Sequence, residues 1–71
     1  MSETLHIGES EITLTQALKV AGLAGTGGEA KLLIAAAKVM VNGTVELRKR
    51  KQLAIGDLVE IIDGGRLTIQ S

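Results

Sequence analysis

A chain of seventy-one residues leaves room for one domain, spanning 1–71, and at 45% hydrophobic and 23% charged it is too apolar to stay unfolded. The lack of cysteine excludes a disulfide framework and a thiolate metal site, and the longest unbroken apolar run, Leu32 to Ala37, is far too short to cross a membrane. Met1-Ser2-Glu3 opens on an acid where a signal peptide opens on bases, so the expected setting is soluble and cytoplasmic.

Thr4 to Ile7 reads as a short edge strand. Thr13-Leu14-Thr15-Gln16 then fits a capping box, in which the Thr13 hydroxyl accepts from an early helical amide and Gln16 reaches back. Leu14, Ala17, Leu18 and Ala21 follow at helical spacing and Gly22 is a plausible stop, which predicts a first helix over 14–21. Gly25-Thr26-Gly27-Gly28 makes a loop, and Thr26 to Glu29 repeats the capping pattern. Ala30, Leu33, Ile34 and Ala37 form the apolar stripe of a second helix, with Lys31 and Lys38, seven positions apart, together on one side of it and off that stripe.

The pattern then changes to alternation. Val39 and Val41 flank Met40, and Val45 and Leu47 flank Glu46, on either side of Asn42-Gly43, a pair suited to the type I′ hairpin turn because both central positions need positive φ. Gly56-Asp57 is a further turn, Leu58 to Ile62 an apolar strand, Asp63-Gly64-Gly65 another turn, and Arg66 to Gln70 a last strand. The expected class is α+β, two helices packed on a small, mostly antiparallel sheet. Without Phe, Tyr or Trp its core must come from Leu, Ile, Val and Ala, which in so short a chain supplies about 3–5 kcal/mol.

Net charge is zero, but it is divided. From Lys31 to Lys51 six bases face one acid, Glu46, for a local +5, and the rest of the chain carries −5. Solvated surface charge is the bland account of such a cluster; a sign-specific binding face is the sharper one. Catalytic chemistry has little to stand on. His6 is the one imidazole, and Asp57, Glu60 and Asp63 flank a strand whose alternation keeps them off a common face, so no metal and no cofactor is expected. Gly25 to Ala30 matches a loose dinucleotide pattern but follows a helix where that fingerprint needs a strand. What survives is more general: Thr26, Gly27 and Gly28 form a candidate phosphate-binding loop, because free amides at a helix start attract an anion, and Lys31 stands within the first turn. Lys31 and Lys38 before the hairpin, and Arg48, Lys49, Arg50 and Lys51 after it, converge if the hairpin packs on the second helix. Arg then offers forked donors to phosphate and Lys mobile charge. A chain without aromatic side chains cannot stack splayed bases on Phe or Tyr, which favours a folded RNA over a single strand as the ligand.

Taken in order, Thr26 to Lys31, Leu33-Ile34, Val39 to Gly43 and Gly56-Asp57 resemble the S-four RNA-binding domain, or alpha-L motif, over roughly 12–62. Glu46-Leu47-Arg48-Lys49-Arg50 is similar to the Glu-x-Arg-Lys-Arg run of the single-domain, YbcJ-like bacterial members. The resemblance implies a non-catalytic domain holding RNA across the second helix and adjoining loops. The expected partners are ribosomal RNA or a ribosomal particle first and tRNA second, with no membrane and no small-molecule substrate. In it Lys31 corresponds to a helix lysine common in the motif, Asn42-Gly43 to the structural hairpin turn, and Arg48 to Lys51 to the basic loop. The small core and balanced charge imply a monomer. The alternative is a protein-interaction module of the same fold, docking a basic partner through acids such as Glu3, Glu9 and Glu11. Two positions depart from the pattern: Gly27-Gly28 stands where many members have Ser-Arg, and Ala37 where many have Gly. If the chain needs positive φ at Ala37 the cost is on the order of 1 kcal/mol, and a helix extended through Lys38 would avoid it.

Overall fold

The computed structural model describes residues 2–8 and 11–71; Glu9, counted above among the acids, lies outside them, as do Met1 and Ser10. In chain order the elements are β1 (Ser2–His6), β2 (Ile12–Thr13), α1 (Leu14–Val20), α2 (Gly27–Ala35), β3 (Val39–Val41), β4 (Thr44–Val45), β5 (Gln52–Leu53), β6 (Leu58–Ile61) and β7 (Arg66–Gln70). The main sheet runs β1-β7-β6-β3-β4, antiparallel throughout except for the parallel pair β1 and β7. Its class is the expected α+β.

Alternation decides which face of the sheet is buried. Val39, Val41, Val59, Leu67 and Ile69 point into the core, while Met40, Glu60 and Arg66 share a row on the other face. Leu14, Ala17 and Leu18 from α1, Ala30 and Ile34 from α2, Ala24 between the helices and Leu53 of β5 complete the interior, which is aliphatic. The hairpin forms as expected: Met40 pairs with Val45 and Val41 with Thr44, and Asn42 and Gly43 take φ of 52° and 83°. Leu47, expected in the second hairpin strand, lies beyond β4 and is exposed.

Asn42 also ties the hairpin to a second turn. Its side-chain amide donates to Asp57 Oδ1 at 3.0 Å and its Oδ1 accepts from the Leu58 amide at 2.9 Å. Asp57 Oδ2 accepts in turn from the Ala54 amide at 2.8 Å. The turn over 54–57 is closed by Asp57 N–H donating to the Ala54 carbonyl, with Gly56 at a φ of 96° that a side chain would oppose.

Both helices start on a threonine. At α1 the box is complete: the Gln16 amide donates to Thr13 Oγ1, and the Thr13 amide donates to Gln16 Oε1 at 3.0 Å. At α2 only half forms. The Glu29 amide donates to Thr26 Oγ1 at 3.1 Å, but the Glu29 carboxylate reaches past Thr26 and accepts from the Gly25 amide at 3.2 Å. Both helices also stop alike. Leu23 N–H returns to the Leu18 carbonyl around Gly22, and Lys38 N–H to the Leu33 carbonyl around Ala37, the double-bonded Schellman arrangement in each case. Ala37 has a φ of 60°. The extension of α2 through Lys38 therefore does not occur. The helix closes at Ala35, Ala37 is exposed and no part of the apolar stripe, and Lys38 leads into β3, its carbonyl accepting from Ile62 N–H.

Candidate nucleic-acid interface

The basic loop after the hairpin is held by α1. Beside the main sheet, β5 pairs with β2, Leu53 opposite Ile12 and Gln52 opposite Thr13, so the residues just before β5 lie across the first turn of α1. The Leu14 amide donates to the Lys51 carbonyl at 2.9 Å, and the Thr15 amide and hydroxyl both donate to the Lys49 carbonyl, at 3.3 and 2.7 Å. Early helical amides have no partner within their own helix. Here two of them anchor the loop, and a third, that of Gln16, is capped by Thr13. The loop is closed on itself by Lys51 N–H donating to the Arg48 carbonyl.

This docking brings distant cations together. Lys31 from α2 and Lys49 and Arg50 from the loop line one open pocket of about 240 Å³, whose remaining lining is the cap Thr13 and Thr15 and Gln16 of α1. The three bases are exposed, and each is a hydrogen-bond donor only. A pocket of three cations floored by hydroxyl and amide groups is suited to an anion with several acceptor oxygens, such as a phosphodiester.

The other bases named from the sequence are placed differently. Arg48 is engaged by Glu46, with Nη2 donating to Oε1 at 2.9 Å and Nε to Oε2 at 3.0 Å, while its backbone amide also donates to Oε2. The Arg48 hydrogen bonds hold the Glu46 carboxyl down at about 2, and the carboxylate in turn raises the guanidinium pKa. Lys51 is half-buried beside α1. Lys38, outside α2, stands at the rim of the main sheet opposite Ile62 and does not line this pocket. At the glycine loop Thr26 caps α2, Gly27 is half-buried and Gly28 exposed, and the Glu29 carboxylate already occupies the turn through Gly25. An added anion there would meet a like charge. Asn42-Gly43 acts structurally, through the turn and the Asp57 bonds.

Thr13, Thr15 and Gln16 were legible as helix-start residues but not as pocket lining. The missing link is the β2–β5 ladder, whose strands of two residues each carry no alternation long enough to read.

Comparison with known proteins agrees with this architecture. Residues 5–70 match the family described as the S4 domain, and the chain belongs to that family. It is also similar to the "Probable ribosome maturation protein RlbA" of Bacillus subtilis (strain 168), 38% identical over 61 residues that span 86% of each chain.

Proposed function

We propose that this protein is a non-catalytic binder of structured RNA, acting on ribosomal RNA or a ribosomal particle first and tRNA second. The observation that carries the reading is the convergence of Lys31, Lys49 and Arg50 on one pocket against α1. Membership of the S4 domain family and similarity to a protein named for ribosome maturation favour the same direction. In this reading the three cations grip a phosphate of the RNA backbone, Lys51 and Lys38 extend the positive field, and Arg48, committed to Glu46, shapes the loop more than it touches RNA. The site offers charge and forked donors without an aromatic platform, so recognition rests on backbone and shape.

The test is binding of fluorescent, folded ribosomal and transfer RNA fragments across a salt series, with wild type compared with Lys49→Glu/Arg50→Glu after circular dichroism shows both folded. Binding is expected to be micromolar or tighter and to weaken with salt. Loss of this phosphate contact should lower the salt slope by about 0.9. RNA affinity that ignores salt, or that survives the double reversal, sinks the proposal. In that event charge reversal at the acidic residues would decide whether the fold serves a protein partner.

A further inference from the structure

The cationic pocket does not end at α1. A second open pocket, lined by Glu11, Ile12, Gln16, Lys19 and Val20, adjoins it, and Gln16 belongs to both. The two meet at Gln16 as one groove, and they differ in chemistry. The first presents three cations. The second has aliphatic walls, from half-buried Ile12 and from Val20, which is 64% exposed although apolar, with one base and one acid at its rim. A run of phosphates would not suit this second pocket, because Glu11 would repel it and Ile12 and Val20 offer it nothing. A planar base with an apolar face and a polar edge fits better.

Gln16 lines both pockets. Its Oε1 is fixed by two donors from Thr13, the backbone amide at 3.0 Å and the hydroxyl at 3.1 Å. The capping box thus holds the side chain still, and among the described residues its Nε2 hydrogens have no acceptor, in a side chain that lines both pockets. A donor held in place between a cationic site and an apolar slot is suited to the edge of one nucleotide lying along α1.

We infer that this groove is a subsite for a single unpaired nucleotide of a folded RNA. Its phosphate lies among Lys31, Lys49 and Arg50, its base lies over Ile12 and Val20 within reach of Gln16 Nε2 and Glu11, and Lys19 meets the backbone as it leaves. The inference rests on the RNA-binding reading and adds to it α1 residues, Gln16, Lys19 and Val20, that lie outside the basic segment.

The test compares two RNA hairpins differing only in one bulged nucleotide, so that the fully paired form reports general charge attraction and the ratio of affinities reports the slot. Wild type is expected to prefer the bulged hairpin by about tenfold, the order of one well-placed base contact. Val20→Ser removes an exposed apolar wall without touching the core, and Gln16→Glu keeps the capping acceptor while deleting the Nε2 donor. Each should bring the ratio close to one. Lys19→Gln should lower the salt slope by about 0.9 on the bulged hairpin. If wild type binds both hairpins equally, or if both variants keep the preference, the subsite is wrong while the RNA-binding reading stands. If wild type binds neither these hairpins nor any ribosomal or transfer RNA fragment, both fall together.

Discussion

The helices α1 and α2 are assembled from the same parts and put to different uses. Each begins on a threonine cap with a long polar side chain three residues on, and each ends in a Schellman turn. At the start of α1 the polar residue is Gln16, neutral, and the first amides are covered by carbonyls of the basic loop. At the start of α2 it is Glu29, whose charge sits at the helix's own positive end and closes on Gly25. One helix start is thus a dock for a cationic segment, and the other satisfies itself. The contrast accounts for where the candidate site lies: the cations gather where a helix start takes up main-chain carbonyls, and the glycine-rich start that looks open in the sequence is filled by its own carboxylate.

The hardest way to break this comparison is through the core that both helices share. Leu18 and Ile34 are each fully buried, one per helix. Leu18→Ala or Ile34→Ala should cost about 2–5 kcal/mol, close to the whole stability of so small a core, and leave the chain largely unfolded by circular dichroism at 25 °C. A cooperative thermal transition surviving in one variant and not the other would mean that the helices do not contribute alike. The caps come next. Thr13→Ala should cost up to about 2 kcal/mol in chemical denaturation and Thr26→Ala about 1 kcal/mol, because Thr13 supports a complete box and Thr26 half of one. Equal losses would show that the second bond of the Thr13 hydroxyl, donated to Gln16 Oε1, contributes nothing.

The two helix ends provide a cleaner pair. Gly22 at φ 78° and Ala37 at φ 60° fill the same left-handed position, and a Cβ built on Gly22 meets no atom within 4 Å. The difference between them is therefore one of backbone conformation alone. Gly22→Ala should destabilise, and Ala37→Gly stabilise, by about 1 kcal/mol each, with the double variant near wild type. An Ala37→Gly protein no more stable than wild type, by urea denaturation, would mean that the exposed turn is strained less than its φ implies.

These pairs also mark what the sequence could and could not convey. Caps, turns and the apolar alternation are local, and Thr13, Asn42-Gly43 and the strand from Arg66 to Gln70 were all readable from neighbours a few residues away. Ala37 was readable as a question, since its identity and the turn's requirement conflict, and the chain resolves it by accepting the conformation. What was not readable depends on residues far apart. The parallel pairing of β1 with β7 joins the two ends of the chain. The β2–β5 ladder joins segments about forty residues apart through strands of two residues each. Because that ladder positions the basic loop, the cations were visible as a cluster, but not that Lys31, Lys49 and Arg50 share a pocket while Lys38 and Arg48 stand apart.

The smallest effect sharpens the account of how the loop over α1 keeps its shape. Glu46 accepts three hydrogen bonds from Arg48, two from the guanidinium and one from its amide, and its carboxyl falls from an ordinary 4.5 to about 2. A group whose folded pKa is depressed stabilises the fold fully above its unfolded value and loses that contribution as pH falls through the folded one. Acid should therefore loosen this corner between about pH 4.5 and pH 2, and not at neutrality. The contribution is small, because the Arg48 side chain is 72% exposed and solvent screens the pair. The sensitive readout is the carboxyl carbon shift of Glu46 in a pH titration by NMR. In wild type it should titrate near 2, and in Arg48→Ala it should return toward 4.5. At neutral pH the same variant should weaken RNA binding less than Arg50→Ala does, because the carboxylate already takes up the Arg48 fork while Arg50 lines the pocket. A wild-type midpoint near 4.5, or an Arg48→Ala loss as large as that of Arg50→Ala, would put Arg48 among the RNA contacts and remove the distinction between a residue that shapes the loop and those that grip with it.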